Sequence, residues 1–269
     1  MRLELSQDIA RLAACERLLV ACDFDGTLAE FVDEPRLVEP APGIMAPLLG
    51  LTSCPETTCA VVSARETDDL AERMAHPQGL ILAGSYGRDL VTGSGISPAG
   101  YKQLHDATTM LEEIAARYAG AWVERKRHAV VMHVRKVREP MAGIALSVAR
   151  ASLATLYGLR AIRGVQAVEW CAYAPDKSLA VDALRRRTKA SAALFVGDGE
   201  ADEAVFITAQ AGDVMIKVGD GETRATHRLQ SPSQVAWMLQ SLYETRSELM
   251  QSSHRTRDTS SEMSQQPTV

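Results

Sequence analysis

The sequence predicts an α/β protein: a parallel sheet covered by helices on both faces, with a smaller α+β unit inserted into it. Three observations carry this prediction. Short apolar runs alternate with helix-length segments over residues 18–94 and again over 174–246. Several of those runs, such as "RLLVAC" and "AALFVGDG", are almost continuously hydrophobic, as strands buried on both faces are. Between the two stretches, residues 95–173 change character and read helix, hairpin, helix and two further strands.

Taken in order, "RLLVAC" is the first strand and runs directly into Asp23. A short helix over 43–53 follows, with Pro47 in its first turn, where proline is tolerated. "TTCAVVSAR" is a second buried strand ending at Ser63, "ETDDLAERMA" the helix after it, and "GLILAGSYG" a third apolar run closed by glycines. The inserted unit opens with the amphipathic helix "YKQLHDATTMLEEIAARYAG". "AWVERKRHAVVMHVRKV" then alternates as a hairpin does. With a turn at His128-Ala129, Glu124 would lie opposite His133 and Trp122 opposite Arg135. One face then carries Glu124, Lys126, His133 and Arg135, and the other Val123, Val130, Met132 and Val134. "MAGIALSVARASLATLYG" is a second helix, and "LRAIRG" and "QAVEWCAY" are two more strands. The alternation then resumes with "SLAVDALRRRTK", "AALFVGDG", "EADEAVFITAQA", "DVMIKVGDG" and a closing helix in "SPSQVAWMLQSLYETR".

The expected organisation is therefore a core from 1–94 and 174–246, an inserted domain over 95–173, and a polar tail over 247–269 expected to be disordered. Loops near 92–100 and 172–176 would join the two units, and "TGSGISPAG" is rich in turn formers, as a hinge would be.

Composition narrows the function classes. A chain of 269 residues with 46% hydrophobic content can bury a sizeable core, and a net charge of −5 without a long basic run argues against a nucleic-acid partner. Five cysteines, an odd count with no CxxC pair, read as free thiols in a reducing compartment. The first twenty residues carry acids and lack a long apolar stretch, and no apolar run reaches the length of a membrane span. The expectation is a cytoplasmic protein with no membrane partner.

The chemistry concentrates where strands end. Asp23 and Asp25 follow the first strand, Ser63 the second, and Asp198 the strand "AALFVG". Asp-x-Asp-Gly alone is an ordinary turn. Three strands delivering such groups to one edge of an open parallel sheet form a constellation, because ligands bind at the carboxyl ends of the strands. Two neighbouring carboxylates repel, and a hard divalent cation such as Mg²⁺ relieves that repulsion. Asp23 is then placed to attack phosphorus and form an aspartyl-phosphate. Asp25 is placed to protonate the leaving oxygen and later to deprotonate the attacking water. Gly26 allows the turn, and backbone N–H groups can cradle the phosphoryl oxygens.

"DFDGTL" resembles the first motif of the haloacid dehalogenase-like (HAD) phosphatase superfamily, and three further elements stand in that superfamily's order. Ser63 ends the second strand, where the superfamily carries a hydroxyl for the phosphoryl group. Lys177 in "APDKSLAVDAL" begins a helix, as its third motif does. "VGDGEADEAVF" is similar to its acidic fourth motif, with Asp198 and Asp202. The resemblance implies a Rossmann-like HAD core with a C2-type cap, catalytic Asp23, Asp25, Ser63 and Lys177, and Mg²⁺ held by Asp23, Asp25, Asp198 and Asp202. Within the superfamily the chain resembles trehalose-6-phosphate phosphatases. The carriers are the opening "DFDGTLAEFVDEPRLVEPAPG", "VVSAR", "AGSYG", "WVERKRHAVVMHVRKV" and "AVEWCAYAPDKSLAV". This implies substrate-binding roles for Arg65, Glu124, Lys126, His133, Arg135 and Glu169, a sugar phosphate as substrate, and functional coupling to a sugar-phosphate synthase. Four positions depart from that pattern: Ala64 for a glycine, Tyr86 for a histidine, Gly199 for a second aspartate, and Ser178 where a glycine follows the lysine. The implied reaction is hydrolysis of trehalose 6-phosphate. A phosphatase or phosphomutase for another sugar phosphate, such as sucrose or mannose phosphates, remains as an alternative, and a catalytically weak sugar-phosphate sensor as an alternative class.

Overall fold

The computed structural model of the chain describes residues 3–32, 34–91 and 96–263. Among the described residues, ten strands form two sheets. The larger has six parallel strands in the order β10-β9-β8-β1-β2-β3: β1 (Leu18–Cys22), β2 (Thr57–Val62), β3 (Ile81–Ala83), β8 (Ala192–Gly197), β9 (Val214–Val218) and β10 (His227–Leu229). The smaller is antiparallel in the order β4-β5-β7-β6: β4 (Trp122–Arg125), β5 (Ala129–His133), β6 (Arg160–Gly164) and β7 (Ala167–Cys171).

Every residue of β1, β8 and β9 is buried, because the parallel sheet is covered on both faces. Alternation divides their side chains between the two faces. Leu18, Val20 and Cys22 pack with Leu194 and Val196 among the helices α1 (Leu3–Ala14), α2 (Met45–Thr52), α3 (Thr67–Arg73) and α9 (Pro232–Met263). Leu19 and Ala21 pack with Ala193 and Phe195 against α7 (Lys177–Thr188) and α8 (Glu200–Ile207). A short helix, α4 (Arg88–Val91), follows β3.

The smaller sheet is covered on one face only. Val130, Met132, Val168 and Trp170 meet Leu104, Ala107 and Leu111 of α5 (Pro98–Ala115) and Ala145, Ala149 and Leu153 of α6 (Met141–Leu153). Its other face, with Glu124, Lys126, His133 and Glu169, turns toward the carboxyl edge of the large sheet. The α-β-β-α-β-β order is the one the sequence predicts. The hairpin register is not. Trp122 pairs with His133 and Glu124 with Val131, two residues away from the expected pairing. The turn is Arg127-His128, closed by Lys126 N–H donating to the Ala129 carbonyl at 2.9 Å. A two-residue shift preserves which face each side chain occupies, so the polar face survives the correction.

Three further elements differ from the sequence reading. α1 was not expected, yet Leu5, Ile9 and Leu12 form a buried stripe at helical spacing. β10 has three residues, too few for an alternation to be visible. α9 continues as helix to Met263 through the segment expected to be a disordered tail. Of the expected hinge, residues 92–95 lie outside the described residues, and Ser97 already caps α5 by accepting from Gly100 N–H.

Arg246 anchors α9. It is fully buried, and it donates to backbone carbonyls and a hydroxyl. Its guanidinium donates to the Ala13 and Cys15 carbonyls at 2.9 Å, to the Glu56 carbonyl at 3.2 Å and to Thr57 Oγ1 at 2.6 Å. The first two lie at the carboxyl end of α1, where the helix dipole favours a cation. Arg246 thus ties α9, α1 and the start of β2 together. Arg246→Ala should lower the unfolding free energy by about 3–5 kcal/mol, since several buried acceptors of a charged donor lose their partner. Urea unfolding measures this, and a loss below about 1 kcal/mol would refute the anchoring role.

Candidate active site

The register of the large sheet assembles the site. Cys22 pairs with Val61 on one side and Val196 on the other, so Asp23, Ser63 and Asp198 leave their strands at nearly one level. Asp23 N–H donates to the Val196 carbonyl at 2.8 Å, and Ser63 N–H to the Ala83 carbonyl at 3.0 Å. Gly26 then turns the chain with φ at 81°. A Cβ there would lie 2.3 Å from Asp198 Oδ2, so both the backbone angle and the approach of Asp198 require glycine.

Lys177 arrives from the start of α7. Asp176 caps that helix by accepting from Ser178 N–H at 2.8 Å and from Ser178 Oγ at 2.6 Å, which fixes where Lys177 emerges. Its ammonium lies 2.6 Å from Asp23 Oδ1 and donates to Asp202 Oδ1 at 2.8 Å. Burial opposes its charge, but Asp202 and Asp23 more than offset this and hold Lys177 above the usual lysine range. Asp202 is fully buried, and its second oxygen accepts from Gly199 N–H at 2.8 Å. Gly199, which replaces an aspartate of the resembling pattern, thereby orients Asp202.

Asp23, Asp198 and Asp202 each present an oxygen within 4.8 Å of the others, a grouping that could hold a metal ion. All three donors are hard oxygens, as Mg²⁺ prefers. Burial pushes the Asp23 carboxyl well above its usual range; Lys177 pulls it down, and Asp202 and Asp198 push it up again. Asp198 is pushed up to about 6 by burial and by Asp202. Lys217 of β9 donates from Nζ to the Asp198 carbonyl. In the sequence Lys217 is marked only as a single lysine inside the apolar run "VMIKV".

Asp25 lies outside this grouping of three carboxylates. Both of its carboxylate oxygens accept from Arg65, Oδ2 from Nε and Oδ1 from Nη2, each at 2.7 Å. A bidentate guanidinium pair is strong and directional, and it draws the carboxylate toward α3. Arg65 is in turn fixed by Asp69 at 2.7 Å and the Pro35 carbonyl at 2.8 Å. Arg65 lines the cavity, but its guanidinium is committed to Asp25. Asp69, one helical turn along, is a partner the sequence reading did not name.

Ser63 is buried, and its Oγ accepts from Arg65 N–H at 3.2 Å. Above these residues lies a cavity of about 530 Å³, lined on one side by Asp23, Asp25, Ser63 and Lys177 and on the other by Glu124, Lys126, His133 and Glu169. That volume suits a small-molecule ligand. His133 stacks on Trp122 with ring centroids 4.5 Å apart and planes 9° apart, and its Nε2 lies 2.8 Å from Glu124 Oε2. The Glu124 side chain remains 43% exposed, so part of the carboxylate is open to a ligand. Burial opposes its ionisation, but His133 and Lys126 hold its pKa below the usual carboxylate value. Arg135 reaches out of the small sheet, donates to the Val32 carbonyl and lies 6.0 Å from the centre of the Phe31 ring. It therefore joins the two halves of the cavity wall. All five cysteines are free, and no helix among the described residues is long and apolar enough to cross a membrane.

Comparison with known proteins identifies the family and the fold. The chain is 32% identical over 260 residues to an uncharacterized glycosyl hydrolase of Mycobacterium tuberculosis, covering 89% of this chain and 19% of that protein. It is 32% identical over 241 residues to the trehalose-phosphate phosphatase of Mycobacterium marinum, covering 82% of this chain and 60% of that one. The chain thus spans less than two thirds of the length of these relatives. The C-terminal domain of Candida albicans trehalose-6-phosphate phosphatase shares the fold, with a TM-score of 0.76 and 18% identity over 90% of this chain and 98% of that one. The model of the trehalose-phosphatase family matches residues 21–241, and the chain belongs to that family.

Proposed function

We propose that the protein is a Mg²⁺-dependent phosphatase that hydrolyses trehalose 6-phosphate to trehalose and phosphate. The observation that carries this reading is the single cavity in which Asp23, gripped by Lys177, faces the polar surface of the small sheet. The relative from Mycobacterium marinum and family membership supply the substrate. Inorganic phosphate release from purified protein, screened over sugar phosphates that include sucrose and mannose phosphates, tests it directly. A sugar-phosphate synthase would be the functional partner, since it would supply the substrate. The domain division at 94/95 and 173/174 follows the same reading, with the inserted unit acting as a cap.

In the mechanism, Asp23 attacks phosphorus as the nucleophile. Ser63 Oγ and the backbone N–H groups after Asp23 hold the phosphoryl oxygens, and Lys177 offsets their charge. Asp25, oriented by Arg65, gives a proton to the departing sugar oxygen and then takes one from the water that cleaves the aspartyl-phosphate. Asp23, Asp198 and Asp202 would hold Mg²⁺, which supplies charge neutralisation at the transferring phosphoryl group. Glu124, Lys126, His133 and Glu169 hold the hydroxyls of the sugar.

Asp23→Asn should abolish phosphate release without changing the unfolding transition, because the amide is nearly isosteric but not nucleophilic. Asp25→Asn should lose turnover and accumulate phosphorylated enzyme, visible as added phosphoryl mass in the intact protein. Turnover by Asp23→Asn above background would exclude the covalent route.

Chelation should remove activity and added Mg²⁺ restore it. Protons and the cation compete for the same carboxylates, and Asp198 is held at about 6. The Mg²⁺ concentration for half-maximal activity should therefore rise as pH falls through about 6. A requirement that does not vary between pH 5 and pH 8 would remove Asp198 from the cation site.

Glu124→Ala should lower kcat/KM for trehalose 6-phosphate by roughly 10- to 150-fold, the worth of one hydrogen bond to a charged group. A small aryl phosphate has no sugar to contact and should be hydrolysed nearly as fast as by the unmodified protein. Equal losses on both would place Glu124 in folding or in phosphoryl transfer.

A further inference from the structure

Tyr86 has no part in the phosphoryl chemistry described above, and it stands where the resembling family pattern carries a histidine. Its backbone is in the left-handed region, with φ 59° and ψ 26°, and Ser85 before it has φ 51°. Two successive residues with side chains are held in a conformation that favours glycine, a form of strain that persists where surrounding contacts over-determine it. Those contacts come from the turn after β2. Tyr86 N–H donates to the Ser63 carbonyl at 2.7 Å, and Ser85 N–H to the Arg65 carbonyl at 2.6 Å. The backbone that presents the phosphoryl-binding hydroxyl thus also aims the tyrosine.

The ring points to the small sheet. It is buried, packs with Ala129 and Cys171, and meets Tyr173 edge-on at 6.4 Å. Its hydroxyl donates to Glu169 Oε2 at 3.0 Å. The other oxygen of Glu169 accepts from Lys126 Nζ at 3.0 Å, and the same ammonium donates to the Ala64 carbonyl at 3.2 Å. Glu169 is therefore fixed at both oxygens, one from the large-sheet side and one by a lysine that itself reaches back to that side. Tyr86, Lys126 and Glu169 all line the cavity.

We infer that Tyr86 is a specificity-determining positioning residue: its hydroxyl fixes the Glu169 carboxylate at the sugar end of the cavity and sets the small sheet in register over the phosphate end. The inference rests on the reading of the protein as a sugar-phosphate phosphatase. A carboxylate oxygen has two lone pairs, so each Glu169 oxygen retains acceptor capacity for a sugar hydroxyl after binding its protein donor. Ordering Glu169 before the ligand arrives removes part of the cost of binding. Burial and Glu169 raise the Tyr86 pKa well above its ordinary value, which keeps the phenol a donor. The ligand class is a polyhydroxylated glycosyl phosphate. An aryl phosphate engages Asp23, Ser63 and Lys177 and makes no demand on Glu169.

The test is a double-mutant cycle of Tyr86→Phe and Glu169→Ala, assayed with Mg²⁺ on trehalose 6-phosphate and on an aryl phosphate. Tyr86→Phe removes the donor and keeps the ring, and thermal unfolding of each variant verifies the fold. Tyr86→Phe should raise KM for the sugar phosphate about tenfold, with a change of at most about twofold on the aryl phosphate. In the Glu169→Ala background it should have almost no further effect, because it acts through Glu169. Equal losses on both substrates, no loss on the sugar phosphate, or full additivity with Glu169→Ala would each overturn the inference. Aryl phosphate turnover without turnover of any sugar phosphate by the unmodified protein would instead overturn the functional reading, and this inference with it.

Discussion

The structure depends on one electrostatic arrangement: the buried Lys177 ammonium set between Asp23 and Asp202. Three carboxylates meet at the end of a sheet whose strands are dry on both faces, where charge is costly without partners. Lys177 is the positive charge set between two of them, and Lys217 lies close to the third. Asp202 spends its oxygens on Lys177 and on Gly199 N–H, so it holds the lysine in place and stiffens the start of α8. Much of the local architecture serves this cluster. Asp176 caps α7 so that Lys177 emerges toward Asp23, and glycine at 26 admits Asp198 at a distance that a Cβ would forbid.

A second division of labour concerns the two acids of the first motif. Asp23 faces the lysine and the acidic cluster, while Asp25 is drawn away by the bidentate grip of Arg65. Two carboxylates two residues apart can take different tasks because they are given different neighbours. Residue type is the same at both positions; what differs is the surroundings, a lysine and two acids for Asp23 and an arginine for Asp25.

The two sheets contribute unlike things to one cavity. The parallel sheet concentrates charge at its carboxyl edge, and the antiparallel sheet offers a face of hydrogen-bonding groups ordered by stacking and pairing. They meet through side chains that cross the gap: Lys126 to the Ala64 carbonyl, Arg135 to the Val32 carbonyl, Tyr86 to Glu169 and Lys136 to Glu34. Lys126, Arg135 and Tyr86 line the cavity themselves, so the position of the small sheet and the shape of the site are linked.

The α/β class, most of the strands and the placing of Asp23, Ser63 and Asp198 at strand ends and Lys177 at a helix start could be read from the chain, because buried parallel strands and the polar residues that end them leave local signatures of only a few residues. The polar face of the hairpin was legible for the same reason: alternation has a period of two and survives a register error of two residues. The register itself and the helix α1 were not, since each is decided by packing between distant segments, as Arg246 shows by linking α9 to the end of α1 and the start of β2. Nor could the chain reveal that Asp25 belongs to Arg65 and not to the acidic cluster, or that Tyr86 reaches Glu169. Residue type and spacing determine which chemistry is available at a strand end. Which partner a carboxylate takes is decided only when the tertiary structure brings together groups 40 or 83 residues apart, because hydrogen bonds and ion pairs act over a few ångströms and leave no trace in the local pattern.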